Sequence, residues 1–189
     1  MCTGKCSVFI AVSLYPLALL SIACNILLFF PDWDTKYVKD GKITEEVKYM
    51  GGFFGGGVMV LFPALYIHLT GARGSCGNRC GMFFSLVFAA VGVAGAVYSF
   101  IVALLGFSNG PLCRTTSKGW DTPLKNSNHL TNYDMWSACK EPKNVVQFNM
   151  GLFIILMVVS VLQGLLCTSQ IINGLFGCLC GTCNKKAEA

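Results

Sequence analysis

The chain has 189 residues, of which 54% are hydrophobic and only 12% charged, with a net charge of +5 and a mean hydropathy of +0.60. Ordinary globular chains carry roughly 25% charged residues, so one soluble domain is excluded. The positive charge is modest and scattered, with no basic run interleaved with aromatics, so no nucleic-acid partner is expected.

Residues 6–31, 49–72, 80–113 and 144–184 contain no Asp, Glu, Lys or Arg. Each interval exceeds the roughly 20 apolar residues that cross a bilayer. The expected fold is therefore an all-α integral membrane protein: a left-handed-type bundle of four transmembrane helices with a short and a long extracellular loop.

The first span is expected at about 7–30. Its apolar run is too long for a cleaved signal peptide, and Pro16 removes one backbone hydrogen bond and should kink the helix. Loop 31–48 follows, with four Lys against five Asp or Glu. The second span, about 49–69, opens with Gly51-Gly52-Phe53-Phe54-Gly55-Gly56-Gly57. Read as an α-helix, Gly51/Gly55 and Gly52/Gly56 form two overlapping G-x-x-x-G pairs that bare one face for close backbone approach. Packing inside the bundle is the first reading of that face, and assembly into a homo-oligomer is the second.

A connector at 70–81 carries Arg73, Cys76, Arg79 and Cys80. The third span, about 82–107, spaces small residues along its length (Gly92, Gly95, Ala96, Ser99, Ala103). Loop 108–147 is the one long polar passage. The fourth span, about 148–176, would measure roughly 43 Å as a helix, against about 30 Å of hydrocarbon. It must tilt or leave the membrane, and Gln170, Asn173 and Gly174 suggest that its terminal end leaves.

Four spans place both termini and the connector on one side. Lys and Arg number five there (Lys5, Arg73, Arg79, Lys185, Lys186) and nine in the two loops, which runs against the positive-inside rule, although a long loop weighs little in that rule. Cysteine points the other way. Cys2, Cys6, Cys76, Cys80, Cys178, Cys180 and Cys183 crowd the membrane ends on the terminus side, as reversible palmitoylation on the cytosolic face requires. Cys113 and Cys139 bound the long loop, as a disulfide in an oxidising compartment would. Residues 1–6, 70–81 and 177–189 are accordingly expected in the cytosol, with a bridge from Cys113 to Cys139. Free thiols at the interface, or a zinc site from Cys76, Cys80, Cys178, Cys180 and Cys183, are the alternatives for the terminus-side group; the spacings match no common structural zinc motif.

Inside the spans, Asn25 and Gln163 can hydrogen-bond across helices at about 0.5–2 kcal/mol each. No Asp, Glu, Lys or Arg lies in any span, which removes proton relays, voltage sensors and counter-ions for charged substrates. The two histidines, His68 and His129, fall on opposite faces, and no metal, cofactor or catalytic motif is present. The chain reads as a non-enzyme. In the long loop, Trp120, Tyr133 and Trp136 are candidates for membrane-interface anchors, a small loop core or partner contacts.

Several passages together resemble the L-six family of four-transmembrane proteins, a tetraspanin-like group named after a tumour surface antigen. They are Met1-Cys2-Thr3-Gly4-Lys5-Cys6, Asn25 to Pro31, Gly51 to Gly57, Phe62-Pro63-Ala64-Leu65, Cys76-Gly77-Asn78-Arg79-Cys80, Asn109 to Cys113, Cys139-Lys140-Glu141-Pro142, Asn173-Gly174 and Cys180-Gly181-x-Cys183. The resemblance implies a plasma-membrane scaffold, present also in endosomes, that gathers integrins, growth-factor receptors or tetraspanins into lipid microdomains and so affects adhesion, migration or proliferation. The rival function is binding or transport of a sterol, lipid or small metabolite within the bundle. The loop lacks the Cys-Cys-Gly of true tetraspanins, and no N-x-[ST] sequon occurs in the chain, so an unglycosylated loop with one bridge is expected.

Overall fold

A computed structural model describes residues 3–30, 39, 41, 43–72, 79–115, 119–122 and 144–180. Helix α1 runs Thr3–Phe29 and continues through Pro16. The single turn α2, Glu45–Lys48, has Glu45 and Glu46 in its first turn and Lys48 in its last, the order the helix dipole favours. A π-helical segment, Gly51–Val58, runs directly into α3, Met59–Ala72. Helix α4 spans Arg79–Asn109 and α5 spans Val145–Cys180. Between them β1, Cys113–Thr115, pairs antiparallel with β2, Gly119–Asp121, placing Arg114 opposite Trp120.

Four helical stretches are long and apolar enough to cross a membrane: Gly4–Phe29, Gly51–Ala72, Cys80–Asn109 and Val145–Cys178. With 31 and 36 residues, α4 and α5 extend to about 46 and 54 Å. Both exceed a hydrocarbon core of about 30 Å, so their ends carry the fold beyond it. Where α4 stops, Gly110 takes a left-handed φ of +72° and its N–H returns to Gly106 O at 3.2 Å, closing the helix with an αL turn.

The helices form a ring in the order α1, α3, α4, α5, with α5 closing back onto α1 and its tightest partner being α4. Two apolar clusters fill the ring. Towards the loops, Cys24, Leu28, Ala103, Phe153 and Leu156 pack under Val47 of α2. Towards the termini, Leu14, Ala18, Val60, Ala64 and Cys167 meet. Large apolar side chains also cover the outside: Phe9, Phe62, Leu165 and Phe176 are each at least 60% exposed. In water such a surface drives aggregation; in a bilayer the acyl chains cover it.

The second span differs from its expected form. Residues 49 and 50 are a turn, with Met50 held at a left-handed φ of 49°, and the glycine run is π-helical where an α-helix was expected. Five of the eight residues in the segment are glycine, whose backbone adopts departures from the α-helical turn at little steric cost. The widened turn brings buried glycines against three neighbouring helices at once. A Cβ on Gly52 would stand 2.9 Å from Ser21 O of α1 and 2.8 Å from Leu156 of α5. One on Gly55 would stand 2.7 Å from Gly95 O of α4. Gly51, Gly52, Gly55, Gly56 and Gly57 are all buried within the bundle, so none of them is bared towards a second copy.

Candidate functional site: two buried polar layers and a loop-side cleft

The π-helical segment sits beside the first polar layer. The amide Nε2 of Gln163, on α5, donates to Gly56 O at 2.7 Å and to Ser21 Oγ of α1 at 3.4 Å. Ser160 Oγ of α5 donates to Ser99 Oγ of α4 at 2.9 Å. All four walls of the ring therefore meet at one level. Each such bond is worth about 0.6 kcal/mol in a membrane bundle, and their value here is in fixing register between helices that lipid alone would let slide.

A second layer lies nearer the termini. Gln170 Nε2 donates to Ser7 Oγ at 3.1 Å and to Ser85 Oγ at 2.8 Å, and Asn173 Nδ2 donates to Ser7 Oγ at 3.0 Å. Gln170 is fully buried. Gln170, Asn173 and Gly174, expected where the helix end leaves the membrane, face inward and tie α5 to α1 and α4, and bundle packing continues along α5 to Gly177, where a Cβ would meet Met82. Asn25 is buried beside Gly52, and its Oδ1 has no hydrogen-bond partner among the described residues; the same holds for Asn149 Oδ1 and Gln163 Oε1. The Tyr15 hydroxyl lies 3.1 Å from His68 Nδ1, joining α1 to α3.

The sequence carried a signal for these layers that composition alone missed. Asn149, Leu156, Gln163 and Gln170 recur every seven residues and are all buried. A heptad places them on one stripe of α5, and three of the four are amides.

At the end opposite the termini, α2, the end of α4 and the hairpin enclose a mostly polar cleft of about 320 Å³. Thr44, Glu45, Glu46, Lys48, Asn109 and Trp120 line it. Asn109 Nδ2 donates to Glu46 Oε1, and Leu112 N–H donates to Thr44 Oγ1 at 3.4 Å, so α4 grips the short loop directly. Trp120 is half-buried on β2. Cys113 is disulfide-bonded and buried against Val145, Val146 and Met150, anchoring the hairpin to the start of α5. Its bonding partner lies outside the described residues, as do Cys139, Tyr133 and Trp136.

At the terminus end Cys6 and Cys80 are exposed and Cys178 is half-buried. Cys180 is the last residue of α5, and its side chain lies outside the described set together with Cys2, Cys76 and Cys183. Cys24 and Cys167 are buried free thiols inside the spans. Among the described residues, no group of three or more His, Cys, Asp and Glu is placed to hold a metal.

A family model described as L6 membrane protein matches residues 1–184. The chain belongs to the L6 membrane protein family. Rat Transmembrane 4 L6 family member 4 is 44% identical to this L6 chain over 97% of it and 94% of its own length. Human Transmembrane 4 L6 family member 1 is 41% identical over 97% of the chain and 96% of its own length. Human member 5 is 38% identical over 100% and 98%. No solved structure matches.

Proposed function

We propose that this L6 family member is a non-enzymatic scaffold of the plasma membrane, organising partner proteins into tetraspanin-like microdomains with both termini in the cytosol. The observation that carries the reading is the construction of the core. Glycines, serines and amides lock four spans together at backbone contact distance, so the outer faces and the loops are what remain for recognition. The absence of ionisable Asp, Glu, Lys and Arg from the spans supports the same conclusion, since charge-coupled transport needs such groups.

The scaffold works through three features. The lipid-facing apolar surface meets neighbouring spans. Acyl chains on Cys2, Cys6, Cys76, Cys80, Cys178, Cys180 and Cys183 bias the protein towards ordered lipid, for which the exposure of Cys6 and Cys80 is favourable. The loop closed by Cys113 and Cys139 presents the partner surface for integrins, growth-factor receptors or tetraspanins. Carriage of a sterol or metabolite through the bundle is disfavoured by helix packing so close that a Cβ added at Gly51, Gly52, Gly55 or Gly57 would come within 3.0 Å of a neighbouring helix. Purification of the full chain in mild detergent, followed by mass spectrometry of proteins and lipids, tests the proposal. Membrane proteins recovered at comparable amounts support it; a near-stoichiometric small molecule without protein partners refutes it.

A further inference from the structure

In the loop-side cleft, side chains of opposite charge and an aromatic ring line open space. Its volume of about 320 Å³ falls within the range of small-ligand sites, about 300–1,000 Å³. Glu45 and Glu46 open the single turn of α2, Lys48 closes it, and the indole of Trp120 supplies an aromatic wall. Asn109 fixes Glu46 through one carboxylate oxygen, Oε1, and Glu45 is exposed.

We propose that this cleft binds a phosphocholine-type zwitterion, its quaternary ammonium held by Glu45, Glu46 and Trp120 and its phosphate directed to Lys48. Carboxylates with an aromatic face are the recognised seat for a quaternary ammonium. Residues three apart on a helix have Cβ atoms about 5–6 Å apart, a span comparable to the charge separation within phosphocholine. A simple cation would leave Lys48 opposing it, and a simple anion would meet two carboxylates; a zwitterion satisfies both signs. The cleft stands where the helices end, at the level where headgroups lie, so the ligand can be a lipid headgroup or the free compound.

The test uses the full-length protein in nanodiscs. In phosphatidylglycerol discs, calorimetric titration with phosphocholine is expected to saturate with a Kd on the order of 1 mM, and inorganic phosphate is expected not to bind. Glu46→Gln keeps an acceptor for Asn109 while removing the charge, and it should weaken binding about threefold. Trp120→Ala should weaken it about 3- to 30-fold, with Trp120→Phe in between. In discs of mixed phosphatidylcholine and phosphatidylglycerol, native mass spectrometry should show phosphatidylcholine retained by the wild type and lost from the variants. Binding in the soluble arm identifies free phosphocholine as a ligand, and retention in the lipid arm alone assigns the headgroup. Absence of both overturns the proposal, as does binding that Glu46→Gln and Trp120→Phe leave unchanged at wild-type thermal stability.

Discussion

Replacing Gly55 with alanine tests the bundle's construction most sharply. A Cβ there would stand 2.7 Å from Gly95 O, 2.9 Å from Tyr98 Cδ1 and 3.0 Å from Ser99 N. Two of these three atoms are backbone, so no rotamer change relieves the clash. Ordinary contact begins at 3.4 Å, so the π-helical segment and α4 must part by roughly 0.7 Å, and a gap of that size forfeits a quarter to a half of the dispersion attraction between facing atoms. Overpacking of this kind costs about 1–3 kcal/mol, while alanine returns about 0.5–1 kcal/mol of helix propensity. The net loss should be about 1–2 kcal/mol, a fall in unfolding temperature of roughly 2–8 °C for a chain of this size. The assay is thermal unfolding of detergent-solubilised protein followed by intrinsic fluorescence, with Gly151→Ala and Gly164→Ala as controls. Nothing lies within 4 Å of a Cβ at Gly151, and only Ala96 at 3.9 Å meets one at Gly164, so both should stay within about 0.5 kcal/mol of wild type. Gly55→Ala unfolding together with Gly164→Ala would refute the reasoning.

Three further outcomes are expected. Gln163→Leu removes the donor to Gly56 O and should destabilise the fold by about 0.5–1.5 kcal/mol in the same assay, less than Gln163→Ala, which adds a cavity. Cys113→Ser should remove about 3.5 kcal/mol of loop-closure stabilisation if the bridge closes the loop of about 27 residues to Cys139; Cys139→Ser should then produce the same mobility shift on a non-reducing gel, with no further shift in the double variant. Acyl exchange on protein from cells should label the terminus-side cysteines and spare Cys24 and Cys167, which are buried within the bundle.

The four spans were legible in the sequence because ionisable residues are too costly in lipid to appear there, and their absence drew the segment limits directly. Gln163 was legible as a cross-helix donor because an amide inside an apolar span needs a partner on a neighbouring helix. The π-helical start of the second span was not, since periodicity is read from side chains and a glycine run has none. The partners of Gln170 were not legible, because Ser7 and Ser85 lie 163 and 85 residues away from it in sequence. The hairpin at Cys113–Thr115 and Gly119–Asp121 escaped notice because three-residue strands in a polar loop show no alternation.

The scaffold claim is tested most directly by cross-linking mass spectrometry on intact cells with a membrane-impermeant, lysine-reactive reagent. The long loop offers Lys118, Lys125, Lys140 and Lys143. The account expects those lysines to cross-link to a small, recurrent set of membrane proteins, and expects the set to be lost when Cys113 and Cys139 are both replaced by serine. Loop lysines that react with the reagent yet join to no other protein, or to the same set without the two cysteines, would contradict it.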